Sequence, residues 1–288
     1  MKLILISLLL ILTNIALAQT AYNSLFWEIS GNGLKKKSYL YGTFHSKDQR
    51  IFEFKKGVEK AFKKADTYAM ELNMDSINQM EVMQLMVMDS NLTLKDLLTQ
   101  EDYNLVNQFF KDSIGVSLFM FERLSPIITA QMIATKGLQE EQENALDLYW
   151  FKKAKKEGKQ LVGLESMEEQ IQALKSIPVE QQAKDLVDMV KDYGNEESFD
   201  MEEMLHIYMS GNLDSLMLVM KDFYKESPEA EQLFNDAFLY KRNVNMANRV
   251  EEYLQKGSVF MAVGATHLPG QKGVIELLRA KGYTVKAL

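Results

Sequence analysis

The sequence predicts an α/β fold: a mixed central sheet built from the N- and C-terminal segments, with a long helical insertion at about 75–254. Three observations predict it. Residues 24–73 alternate short aromatic and β-branched runs with turn residues. Residues 75–254 carry apolar positions at helical spacing, punctuated by caps. Residues 258–288 return to a strand, helix, strand order. Short β-rich runs bounded by turns read as strands, and 3.6-residue periodicity reads as helix.

The elements follow in order. Ser24–Ser30 is a first strand, Gly31, Asn32 and Gly33 turn the chain, and Ser38–Gly42 returns it as a hairpin. Phe54–Ala65 alternates Lys with apolar residues at helical spacing, and Thr67–Leu72 is a third strand. Strand, helix, strand implies a parallel crossover. In the insertion, Thr99 and Asp102 open a helix as a capping pair. Ser125 and Pro126 open another, which Gly137 should stop. Asn144–Glu157 is a helix ended by Gly158. One strand interrupts the region, Gln160–Glu165, and Ser166 with Glu169 forms a capping box directly after it. Gly194, Gly211 and Gly257 read as later helix ends. Met80, Met83, Met86 and Met88 read chiefly as core filler, with an adaptable apolar surface as the alternative. Ser258–Val263 is a buried strand, Gly273–Lys281 a helix, and Tyr283–Val285 begins the last strand. No linker separates these parts, so residues 19–288 read as a single domain.

Composition removes several function classes. The 288 residues include no Cys and three His, with 47% apolar and 25% charged residues and a net charge of −7. That describes a globular chain without disulfides, thiolate metal sites or cysteine nucleophiles. The acidic balance argues against nucleic acid as a partner. At the N-terminus, Met1 and Lys2 precede an apolar run, Leu3–Leu12, and then Ala16-Leu17-Ala18. This is the pattern of a secretory signal cleaved after Ala18, too short to span a bilayer. A retained membrane anchor is the alternative. The expected mature protein is periplasmic or secreted, with no integral membrane span.

Two of the three histidines share a setting. Leu40–His45 and Val263–His267 are each an apolar strand running into G-x-x-H, through Gly42 and Gly264. The glycine allows a turn or a close backbone approach. His45 and His267 then project from strand carboxyl ends, where open α/β sheets bind ligands. Two unrelated loop histidines capping turns are the plain alternative. Glu71 and Glu165 end two further strands. Two imidazoles with one or two carboxylates form a common ligand set for a catalytic divalent metal. Such an ion makes hydroxide near neutral pH and polarises a carbonyl. Glu165 has a second reading, as a charge stabilised at the start of the Ser166 helix. His206 falls on a helical pattern and reads as a structural or surface histidine. Lys241, Arg242 and Asn243 read either as a solvated face or as a guanidinium offered to a carboxylate or oxyanion. The sequence holds no phosphate-binding glycine loop, H-E-x-x-H or G-x-S-x-G elbow.

The ordered set of these pieces resembles the TraB/GumN family, which includes the Tiki metalloproteases. The matching residues are Phe26–Ile29, Tyr41–His45, Met70–Leu72, Gly163–Ser166, Arg242 with Asn243, Val263–Leu268, Gly270, Gly273, Gly282 and Tyr283. The resemblance spans nearly the whole mature chain. It implies an α/β core with both G-x-x-H motifs on one cleft. It implies His45, His267 and Glu71 as metal ligands, and Glu165, Arg242 and Asn243 as further family positions. It implies Mn²⁺ as the ion, with Co²⁺ or Zn²⁺ as lesser choices. The core is also similar to erythromycin-esterase-like enzymes, where matching His and Glu residues work without metal.

The leading expectation is an exported metal-dependent hydrolase, a peptidase acting on a peptide or another amide or ester. His45, His267 and Glu71 would hold the ion. Glu165 would serve as a fourth ligand or general base, and Arg242 would steady the oxyanion. A metal-free hydrolase using His45 and Glu71 is the second expectation. A non-catalytic binding protein using the Met-rich surface is the third.

Overall fold

A computed structural model describes residues 22–88, 91–134, 141–193, 201–223 and 228–288. The expected signal segment with its Ala18 cleavage point, and the helix ends at Gly137 and Gly194, lie outside the described residues.

The hairpin forms as the sequence implies. Strand β1 (Phe26–Gly31) pairs antiparallel with β2 (Ser38–Thr43). The turn between them puts Gly31, Asn32 and Gly33 all at positive φ. Glycine enters that region without steric cost, and Asn is among the few other residues that tolerate it. Strands β3 (Thr67–Leu72), β4 (Gln160–Glu165), β5 (Val259–Gly264) and β6 (Tyr283–Ala287) complete one six-stranded sheet. Its order is β4-β3-β5-β2-β1-β6. The β2–β5, β5–β3 and β3–β4 pairs are parallel. Only β1 runs against the rest, because it is antiparallel to both neighbours. The fold is therefore α/β with a mixed sheet. Five strands come from the chain ends, and β4 comes from within the helical middle.

Helices cover both faces, as parallel strands require. On one face Tyr41, Tyr68 and Phe260 point the same way in register. There they meet helices Val58–Lys64 and Leu146–Lys156. Trp150 is the centre of that layer, with ring centroids 4.6 Å from Phe62 and 5.5 Å from Phe260. Residues of opposite parity, Leu40, Met261 and Ala69, face helix Lys241–Leu254, whose Met246, Ala247 and Val250 are buried. Fully burying one such side chain stabilises by about 1.5–3 kcal/mol, so this sandwich dominates the packing. A second apolar cluster lies among the middle helices, around Leu94, Phe110, Leu118, Ile133 and Leu186.

Two expectations change. The helix expected from Phe54 begins at Val58 instead, after Gly57 at φ 105°. Phe54 is drawn from the helix into the aromatic layer, 4.7 Å from the Trp150 ring. The methionines expected chiefly in the core divide. Met88 is buried, but Met80, Met83 and Met86 are 70%, 56% and 37% exposed. They lie on the two-turn helix Gln79–Met86, which packs against helix Met167–Lys175. The spacing of Met80 and Met83 sets both on its open side. The adaptable-surface alternative describes them better. Among the described residues no helix is long and apolar enough to cross a membrane.

Candidate active site

The four parallel strands β4, β3, β5 and β2 end side by side. Their carboxyl ends carry Glu165, Glu71, the Gly264–His267 turn and the Gly42–His45 turn in that order. Neighbouring strands lie about 4.8 Å apart, so consecutive ends bring these groups within reach of one another.

The two motif glycines make this convergence sterically feasible. A Cβ on Gly42 would stand 3.1 Å from Ala265 Cα and 3.3 Å from Leu268 Cδ2. The two G-x-x-H segments therefore pack backbone to backbone at that point. A Cβ on Gly264 would stand 3.3 Å from Glu71 Oε1. Instead the Gly264 N–H donates to that oxygen at 2.7 Å.

Arg242 binds the two carboxylates together. Its Nε and Nη2 donate to Glu165 Oε1 and Oε2 at 2.7 and 2.6 Å, and Nη2 also donates to Glu71 Oε2 at 2.8 Å. A π-helical turn, Asn235–Tyr240, leads directly into the helix that carries Arg242. Arg242 Nη1 donates back to the Phe238 carbonyl in that turn. Such turns recur at functional sites. The Glu165 side chain has no exposed surface, and both its oxygens meet Arg242. Glu165, expected as a fourth ligand or general base, is here the counter-ion of Arg242. Arg242, expected to face a carbonyl oxyanion, is committed largely to the two glutamates. A buried guanidinium needs such partners, because isolated charge is costly away from water. The helix-start reading of Glu165 stands beside this, since Ser166 and Glu169 do form the capping box.

Each motif histidine is held by Nδ1. His267 is buried, and its Nδ1 lies 2.6 Å from Asn243 Oδ1. The Asn243 amide donates to the Lys272 carbonyl, which fixes Oδ1 toward the ring. Nδ1 is therefore the donor, and Nε2 keeps its lone pair. That Nε2 lies 3.8 Å from Glu71 Oε1. His45 Nδ1 meets Asp147 Oδ2 at 2.7 Å as an ion pair, and the other carboxylate oxygen accepts from Thr43 Oγ1. The His45 ring is 65% exposed.

These surroundings set the charges. Burial lowers the His267 imidazole to about 4, with Glu71 working the other way, so it is neutral near pH 7. Asp147 raises the His45 imidazole to about 9. Burial alone would raise the Glu71 carboxyl. At the low pH where Glu71 titrates, protonated His267, Arg242 and His45, with the Gly264 N–H, reverse this and hold it at about 2.

Asp147 escaped the sequence reading. It ends no strand and belongs to no motif. One signal was available: residues 147, 150, 151 and 154 form one helical stripe, and Trp150, Phe151 and Ala154 in it are buried. An acid on an apolar stripe calls for a partner. His206 does not join the site. It is 63% exposed and lies 3.2 Å from Glu202 on its own helix.

The donors suit a divalent ion in chemistry. Both Nδ1 atoms are engaged by acceptors, an arrangement common around metal-ligating histidines. His267 Nε2 and Glu71 Oε1 stand slightly wider than two ligands of one ion. Among the described residues, no three His, Asp or Glu groups already gather into a metal cage.

These features define an α/β protein with a His–Glu–Arg centre at the carboxyl edge of its parallel strands. The chain belongs to the TraB/PrgY/gumN family, whose model matches residues 25–287. It is 24% identical to a Danio rerio protein named metalloprotease TIKI2, covering 93% of this chain and 62% of that one. It is 25% identical to metalloprotease TIKI1 of Danio rerio, covering 93% and 64%. It is 23% identical to metalloprotease TIKI1 of Homo sapiens, covering 93% and 62%. The chain thus spans just over three-fifths of the length of these relatives. No solved structure matches it.

Proposed function

We propose that the chain is an exported hydrolase that cleaves peptide bonds with the help of a divalent ion. The observation that carries this reading is the placement of His45, Glu71 and His267 at neighbouring strand ends, with Nδ1 of both rings engaged from behind. The relatives named as metalloproteases support the peptide substrate and the metal. His267 Nε2, Glu71 Oε1 and His45 Nε2 would hold the ion, Mn²⁺ first and Co²⁺ or Zn²⁺ next. When bound, the ion supplies an activated water and polarises a carbonyl. The chain's own residues prepare the rest. Burial keeps His267 neutral and Asn243 holds its proton on Nδ1, Arg242 holds Glu71 ionised and in place, and Glu165 neutralises Arg242. Removal of residues 1–18 would place the mature chain in the periplasm or outside the cell.

The test is hydrolysis of fluorescein-labelled casein by residues 19–288, with Mn²⁺ and with EDTA. The expected result is Mn²⁺-dependent cleavage, lowered at least about 10²-fold by His45→Ala or His267→Ala. No cleavage of casein or of a mixed peptide library with Mn²⁺, Co²⁺ or Zn²⁺ sinks the reading. One observation favours a second reading, a metal-free hydrolase. The Asp147–His45 contact is the base-and-orienter arrangement of acid–base enzymes. Cleavage that survives EDTA and is lost in His45→Ala selects it.

A further inference from the structure

We propose that Asp147 is a positioning residue that holds His45 by Nδ1 and so leaves Nε2 as the atom offered to a substrate or ion. The inference draws its chemistry from the hydrolase reading, but its geometry stands apart from it. The carboxylate is gripped by two residues of the same G-x-x-H turn. Oδ2 meets His45 Nδ1 at 2.7 Å, and Oδ1 accepts from Thr43 Oγ1 at 2.5 Å. Thr43 is 1% exposed, so its hydroxyl has few other acceptors to choose from.

The backbone brings Asp147 to this place. The Leu146 N–H donates to the Ser46 carbonyl at 3.1 Å, and the Gln142 N–H donates to the Lys47 carbonyl at 3.0 Å. Residues 142–147 are thus stitched to the two residues that follow His45. One turn further on, Trp150 is fully buried against Phe54 and Phe62. The helix start therefore cannot shift without disturbing the aromatic layer. A rigid support of this kind is what a precise site requires.

Asn243 does the matching task for His267 with a neutral amide. The two histidines are thus oriented through the same ring nitrogen by different chemistry, an anion for one and an amide for the other. An anionic partner on Nδ1 makes Nε2 the better donor to an ion or proton. Of the two, only His45 is exposed enough to meet a ligand arriving from solvent.

The test uses ¹⁵N-histidine labelling of residues 19–288, where three imidazoles give an assignable spectrum. Asp147→Asn is expected to shift the His45 ring nitrogens and leave the His206 signals in place. Thr43→Val, which keeps the carboxylate and frees Oδ1, is expected to give a smaller shift of the same signals. Should Asp147→Asn fail to fold, Thr43→Val alone decides. Unchanged His45 ring signals in a folded variant overturn the proposal. A second arm titrates Mn²⁺ alone by calorimetry, where Asp147→Asn is expected to weaken binding about 10–100-fold. Equal Mn²⁺ affinity in the variant and the parent also overturns it. If the parent binds no Mn²⁺, the metal reading fails, and the ring signals decide the role of Asp147 by themselves.

Discussion

Asn243 fixes the tautomer of His267: its Oδ1 lies 2.6 Å from Nδ1, while its own amide is tied to the Lys272 carbonyl. Both side chains are buried, so neither can turn to water. Asn243→Ala would leave the ring N–H without a partner. The expected loss of unfolding free energy is about 1–3 kcal/mol, read from urea denaturation. A loss under about 0.3 kcal/mol would show that the contact carries no weight.

Arg242 is the only cation bonded to both Glu71 and Glu165 among the contacts described. Arg242→Met would strand two carboxylates with little access to water. We expect about 3–5 kcal/mol of destabilisation by chemical denaturation. Arg242→Lys should recover only part of it, because one ammonium cannot form the two-pronged contact with Glu165. Full recovery by Lys would reduce the role of Arg242 to bare charge.

Gly42 marks the closest approach of the two G-x-x-H turns. Gly42→Ala would press a methyl on Ala265 and Leu268, with an expected cost of about 1–3 kcal/mol. The matching measurement is a thermal melt beside Gly33→Ala, where a Cβ meets nothing within 4 Å and the positive φ is the strain.

Asp48 has no exposed side-chain surface and is paired with Arg50, which in turn grips Glu202 on helix Met201–Ser210. The Arg50 hydrogen bonds hold its carboxyl below the ordinary 3.8, against the effect of burial. The unfolded chain therefore binds the proton at a higher pH than the folded one. The stabilisation is present above pH 3.8 and is lost as pH falls through the lower folded value. Melting temperatures from pH 6 down to pH 2 should fall more steeply for the parent than for Asp48→Asn. Parallel curves would remove Asp48 from the acid response.

Much of this arrangement was legible in the sequence, and particular residues show where legibility ends. The strands that carry Gly42, Glu71, Glu165 and Gly264 at or next to their ends were readable, because apolar runs closed by turn residues leave a local signature. Thr99, Ser166 and Glu169 announced their helices by side-chain chemistry that acts within four residues. The pairing of Arg242 with both glutamates was not readable. The contact spans 171 residues to Glu71 and 77 to Glu165, and a lone basic pair looks the same on a solvated face. Asp147 was hidden for the same reason, since its partners Thr43 and His45 lie more than 100 residues away. Met80 and Met83 misled because their spacing suits either a core or an open helix face. Only the neighbour, helix Met167–Lys175, decides which.

The strand order has a consequence for how the molecule is made. β5 lies between β2 and β3, so two early strands remain without their shared neighbour until β5 is made. Glu71 and Gly264, joined by a hydrogen bond, are 193 residues apart. Closing so large a loop is entropically costly and comes late. The centre therefore stays open on a nascent chain and is completed only when β5 inserts. A chain that stops before residue 259 would keep His45, Glu71, Glu165 and Arg242 but lack the strand that joins the His45 strand to the Glu71 strand. The emergence of β5 thus acts as the timer for any chemistry at this edge.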